Sequence, residues 1–158
     1  MTRAASAVRT VRKSKDHVAG PECLSAGSFF KNCRMDAESS QFREIVARFV
    51  ARREALLAKG HDWLSLCRTA CRRSPDEIIA GSLIATSSDL DDCPDMFKPL
   101  AAFGPLRLGQ AGSNTIVNLG TATADDVLRL ARQMRAAVEH TYGVTLESEV
   151  VPIGNITL

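Results

Sequence analysis

The stretch Ser25-Ala26-Gly27-Ser28-Phe29-Phe30-Lys31-Asn32 decides how the rest of the chain is read. Gly27 admits a backbone turn or a close approach that a side chain would block. Phe29 and Phe30 can anchor that turn by burial. Ser28, Lys31 and Asn32 are then polar groups held at a fixed place beside it. On residue chemistry alone this is a buried turn with a solvated polar rim.

Working outward, the 158 residues suffice for one domain with its own core, expected to span 1–158. Apolar residues make up 45% and charged residues 24%, an ordinary balance for a globular protein. A net charge of +2 gives no reason to expect nucleic acid or a membrane as partner. No apolar run approaches the ~20 residues that cross a bilayer. Met1 to Lys15 is basic but has no following apolar stretch of ~7–15 residues, so it is not read as a secretory signal. Val8, Val11 and the neighbouring alanines instead suit a short amphipathic helix, with 1–20 forming that helix and a linker. Five cysteines, an odd number, without a secretion signal point to a reduced, cytoplasmic protein. Cys67 and Cys71 share a helical face, but no histidine stands at ligand spacing, so they are read as core.

Downstream, Phe42, Ile45, Val46, Phe49, Leu56 and Leu57 recur at helical spacing as far as Lys59, and Gly60 is a suitable stop. A second helix is expected from Asp62 to Arg73. Ser74-Pro75-Asp76-Glu77 has the form of a further helix start, opening a helix that carries Ile78, Ile79, Leu83 and Ile84. Gly81 within it either weakens the helix or marks close packing. The pattern breaks down over 87–113, expected to be irregular. Thr115-Ile116-Val117-Asn118-Leu119 reads as a strand. Thr123 and Asp126 start a helix whose apolar face is Val127, Leu130, Ala131, Met134 and Val138, closed by Gly143. A final strand is expected over Val144 to Ile153. Its alternation turns Val144, Leu146 and Val150 to the core and Glu147 and Glu149 to the opposite face. The fold class expected is α+β, with helices packed on a small mixed or antiparallel sheet in two layers.

Several of these segments together resemble one family, the UDP-N-acetylenolpyruvoylglucosamine reductases, over its C-terminal domain. Val8 to Lys15 is similar to a family helix ending in lysine. Ala26-Gly27-Ser28-Phe29-Phe30-Lys31-Asn32 matches the family's signature almost letter for letter. Ala80-Gly81-Ser82-Leu83-Ile84, Ile116-Val117-Asn118-Leu119-Gly120, Ala122 to Val127 and Leu146-Glu147-Ser148-Glu149-Val150 follow in the family's order. Ser82 stands where tryptophan is usual, Ser148 and Cys33 replace prolines, and Val151 replaces an arginine.

The resemblance implies roles. In the family a flavin hydride goes to an enolpyruvyl ether, a serine protonates the resulting enol, and a glutamate on the last strand assists. By position these are Ser28 and Glu149. Lys15, Asn32 and the neighbouring Lys31 correspond to substrate-holding positions. No glycine-rich flavin or dinucleotide signature stands in these residues, so no cofactor is expected in this chain, and FAD would enter only with a separate flavin domain. No metal site is expected.

Three readings follow. The first is a flavin-free enzyme that uses Ser28 and Glu149 for proton transfer on a small molecule, such as cyclisation, isomerisation or enol protonation in a specialised biosynthesis. The second is the substrate-binding half of a split reductase partnered by a flavin domain. The third is a non-catalytic module that binds a sugar nucleotide or a partner, with a homodimer as one expected assembly. The sequence ranks the first slightly ahead.

Overall fold

The computed structural model describes residues 25–66, 69–71, 76–89, 92–93, 95–110, 112–151 and 153. The expected N-terminal helix over 1–20, with Lys15, lies outside the described residues.

Four antiparallel strands form the main sheet in the order β1-β6-β5-β4. These are β1 (Ser25–Ser28), β4 (Ala102–Phe103), β5 (Leu106–Gly109) and β6 (Gly112–Asn118). A separate two-stranded ladder pairs β2 (Cys33–Arg34) with β3 (Glu77–Ile78). The helices are α1 (Ser40–Ala58), α2 (Ala80–Ala85) and α3 (Ala124–Tyr142). The architecture is two-layer α+β, as expected.

The two long helices follow from local chemistry. The Ser39 hydroxyl accepts the Phe42 N–H at 3.1 Å and opens α1. Phe42, Ile45, Phe49 and Leu56 then fall on one buried stripe. Thr123 and Asp126 form a reciprocal capping box at the start of α3, and Gly143 ends it at a left-handed φ of +66°. Leu130, Ala131, Met134 and Val138 line its buried face. One continuous core joins these residues to Phe29, Phe30, Leu83, Ile84, Phe97, Leu106, Leu108 and Ile116.

The shorter elements depart from the sequence reading. Of the helix expected over Asp62 to Arg73, the described residues show a 3-10 turn over Asp62–Leu66, and Cys71 instead bridges to Ile78. The helix start expected at Ser74 does not extend a helix through Ile78. Ile78 pairs with Cys33 in β3, and the helix begins only at Ala80. A β-branched isoleucine favours extended backbone, and a long-range strand partner overrides a local capping pattern. Gly81 marks close packing, because a Cβ there would meet the Asn114 Cβ at 3.4 Å.

Within 87–113, expected to be irregular, β4 and β5 form a hairpin over Gly104-Pro105. Gly104 takes the positive φ of +59° that the first position of such a turn favours. Leu106 and Leu108 are both buried, an alternation that marks the strand. At the C-terminal end, the described residues after Val144 form no continuous strand. One antiparallel bridge joins Ser148 to Phe30. The alternation itself holds: Val144 and Leu146 are buried, Val150 is half-buried, and Glu147 and Glu149 are exposed.

Candidate functional site

The opening stretch is held from two sides. On one side β1 pairs with β6, with Ser25 opposite Val117 and Ser28 opposite Thr115, a register that slips by one residue between them. Gly27 sits inside that irregularity at φ +85°. The expected turn is therefore a bulge within a strand, which re-aims the residues beyond it. It lets consecutive residues, Phe29 and Phe30, both enter the core, where their rings meet edge to face with centroids 5.1 Å apart. Regular alternation would expose one of them.

Asn114 fixes this geometry. Its backbone carbonyl accepts the Phe29 N–H at 2.7 Å. Its side chain then clamps the next residue: Oδ1 accepts the Phe30 N–H at 2.9 Å and Nδ2 donates to the Phe30 carbonyl at 2.7 Å. A buried carboxamide thus does the work of a missing neighbouring strand. Asn114 was not among the residues singled out from sequence. The available signal was an asparagine leading a β-branched run, where this residue type is depleted.

On the other side the C-terminal segment completes the stretch. Glu149 donates its N–H to the Phe29 carbonyl at 2.9 Å, and Lys31 donates its N–H to the Glu147 carbonyl at 2.8 Å. This pairing brings Ser28 and Glu149, 121 positions apart by their numbers, to one cleft of about 720 Å³. Both are exposed, and neither side chain is hydrogen-bonded among the described residues.

Other groups on the cleft wall are committed. Lys31 forms an ion pair with Glu147 across the two segments. Asn32, expected to hold substrate, has both ends of its carboxamide in use. Nδ2 donates to Glu77 Oε1 at 3.0 Å and Oδ1 accepts the Ala80 N–H at 3.1 Å. It ties β3 and the first turn of α2 to the cleft, so its visible role is to shape the wall. Cys33 also lines the cleft, and burial pushes its thiol up to about 11, so it is a neutral thiol at pH 7 and no nucleophile. Arg34, Gln41, Glu77 and Thr145 add to the polar lining, and none of the four was expected at a site.

The arrangement can place a hydroxyl and a carboxylate against one bound molecule. The cleft does not have the glycine-rich amide cradle typical of a flavin's diphosphate. Among the described residues the one glycine on the cleft wall, Gly143, already donates its N–H to the Glu139 carbonyl at 2.8 Å, so the described wall offers no free glycine amide. Among the described residues no group of three or more His, Cys, Asp or Glu side chains could hold a metal ion. No described helix is long and apolar enough to cross a membrane.

Comparison with known proteins bears on this cleft. The family described as UDP-N-acetylenolpyruvoylglucosamine reductase, C-terminal domain, matches residues 97–153, a span holding Asn114, Glu147 and Glu149. The chain resembles the C-terminal domain of that reductase family. Curated reductases of that name extend the likeness through the Ser28 stretch. The Streptomyces coelicolor protein is 32% identical over 98% of this chain and 37% of its own length. The Thermobifida fusca protein is 31% identical over 94% of this chain and 38% of its own. The reductase of Bdellovibrio bacteriovorus is 33% identical over 93% and 36%. The chain therefore spans little more than a third of the curated reductases it matches.

Proposed function

We propose that this domain is the substrate-binding part of a flavin-dependent UDP-N-acetylenolpyruvoylglucosamine reductase, with the flavin held by another domain. The observation that carries the proposal is the convergence of Ser28 and Glu149 on one cleft, in a chain whose relatives carry that reductase's name. Reducing an enolpyruvyl ether adds a hydride to one alkene carbon and a proton to the other. The residues described here supply the proton side only.

In this reading Ser28 gives its hydroxyl proton to the enol carbon, and the electron pair of the enol forms the new C–H bond. A serine hydroxyl is a weak acid, so its use depends on placement against a developing carbanion. The Gly27 bulge and the Asn114 clamp supply that placement. Glu149, on the neighbouring segment, assists the transfer and orients the substrate. Positioned proton transfer contributes about 10²–10⁴-fold. Asn32 and Lys31 shape the wall, and Lys15 is proposed as a further substrate contact.

The relatives favour this reading over a cofactor-free cyclase or isomerase, for which no feature of the cleft speaks separately. The test combines the chain with the flavin-bearing part of the Streptomyces coelicolor relative. Reoxidation of the reduced flavin on adding UDP-N-acetylenolpyruvoylglucosamine is followed by visible absorption. Ser28→Ala should slow it at least ~100-fold at unchanged substrate affinity. Unchanged reoxidation in Ser28→Ala, or no affinity of the wild-type chain for this sugar nucleotide, would overturn the reading.

A further inference from the structure

Among the described residues the cleft holds one cation that the fold does not use. Lys31 is neutralised by Glu147, and Asn32 is bonded to Glu77 and to the start of α2. Thr145 donates its hydroxyl to Glu139 at 3.1 Å. Arg34 is different. It lines the same cleft, is exposed, and has no hydrogen-bond or ion-pair partner among the described residues.

A partner stands close at hand. Arg34 lies directly opposite Glu77 in the β2–β3 register, where an opposite-charge pair would ordinarily close. The Glu77 carboxylate is taken up by Asn32 instead, at 3.0 Å. The guanidinium is thus left facing a concave wall beside Asn32, six positions along the chain from Ser28. A guanidinium presents a planar fork of donors that matches a phosphate or carboxylate two bonds at a time. With Glu149 the uncommitted carboxylate and Ser28 the uncommitted hydroxyl among the described lining residues, the cleft has one end suited to proton transfer and another suited to an oxyanion.

We infer that Arg34 is the anion anchor of this cleft and grips the diphosphate of a nucleoside-diphosphate sugar whose sugar end reaches Ser28. The inference rests on the functional reading above. It adds a residue that the sequence pattern gave no role and assigns it to the phosphates, leaving the enolpyruvyl carboxylate to the Ser28 end. An extended chain advances about 3.3 Å per residue, so the two ends can be separated by several bond lengths of ligand. The sugar that links the diphosphate to the reacting group supplies that separation.

The experiment is calorimetric titration of the whole chain with UDP-N-acetylglucosamine, with uridine, and with UDP-N-acetylenolpyruvoylglucosamine. Arg34→Ala should weaken both diphosphate ligands by about tenfold or more and leave uridine binding as it is. Arg34→Lys should fall between, because it keeps the charge and loses the fork. Thermal melting should match wild type, since the side chain is exposed and unpaired. Equal affinity of wild type and Arg34→Ala for UDP-N-acetylglucosamine overturns this inference and leaves the functional reading standing. A loss confined to the enolpyruvyl ligand overturns it in favour of a carboxylate contact. A wild-type chain that binds none of the three removes both readings.

Discussion

Replacing Asn114 by alanine tests how the cleft is built. The substitution removes the Oδ1 acceptor and Nδ2 donor that hold the Phe30 N–H and carbonyl at 2.9 and 2.7 Å. Phe30 is 1% exposed, so water does not readily replace them. Each buried backbone group left without a partner costs about 1–3 kcal/mol, which gives about 2–6 kcal/mol for the pair. The space vacated by the carboxamide admits some water, so the lower half of that range, about 2–4 kcal/mol, is expected. The assay is urea unfolding of wild type and Asn114→Ala, read as the shift in midpoint at constant slope. Amide exchange localises the effect: the Phe30 and Glu149 amides should exchange faster before the α3 amides do. A loss below about 0.5 kcal/mol with unchanged Phe30 exchange would refute the clamp, since ordinary surface changes produce that much.

Other expectations follow from the same structure. Asp95 accepts from Trp63 Nε1 at 2.9 Å and Lys98 Nζ at 3.0 Å and lies 2.8 Å from His61 Nδ1, joining the Asp62–Leu66 turn to the loop before β4. Burial raises its carboxyl, but hydrogen bonds from Lys98 and Trp63 and the charges of Lys98 and His61 outweigh it and hold it below the usual 3.8. Its stabilisation is therefore present above 3.8 and lost as pH falls through the lower folded value, so Asp95→Asn should lower the melting temperature at pH 7, with the difference from wild type shrinking as the pH is taken below 3.8. Gly143→Ala, at φ +66°, should cost about 1 kcal/mol in urea unfolding, the scale of a left-handed backbone penalty. Glu147→Gln breaks an ion pair whose side chains are 50% and 74% exposed, so it should change stability by less than about 1 kcal/mol, a difference that shrinks in 1 M salt.

What the sequence reveals depends on how local the deciding interaction is. The capping box of Thr123 and Asp126, the Gly143 stop and the apolar face between them are contained in one segment, and α3 is legible throughout. The alternation of Val144, Leu146, Glu147 and Glu149 is also legible, although the strand expected to carry it reduces to a single bridge. Elements set by distant partners are not. Ile78 is extended because Cys33 and Cys71 lie on either side of it, and no local signal says so. The Gly104-Pro105 hairpin escapes because β4 is two residues long, although Leu106 and Leu108 alternate visibly.

The site divides in the same way. Ser28 and Glu149 are reached through resemblance to the reductase family, and the cleft that joins them is a property of the folded chain. Asn114, Glu77 and Arg34 depend on contacts that cross from one element to another. Asn32 is the instructive case: its residue type suits a ligand, and the fold adds a structural role, with one bond to the protein at each end of its carboxamide and a second N–H and lone pair left over.

The most direct measurement is a titration of the isotopically labelled chain with UDP-N-acetylenolpyruvoylglucosamine, followed by amide chemical shifts. The account predicts saturable shifts concentrated at Ser28, Asn32, Arg34, Glu147 and Glu149, with α3 beyond its C-terminal turn unmoved. Shifts confined to residues outside the cleft, or none at millimolar ligand, would contradict it.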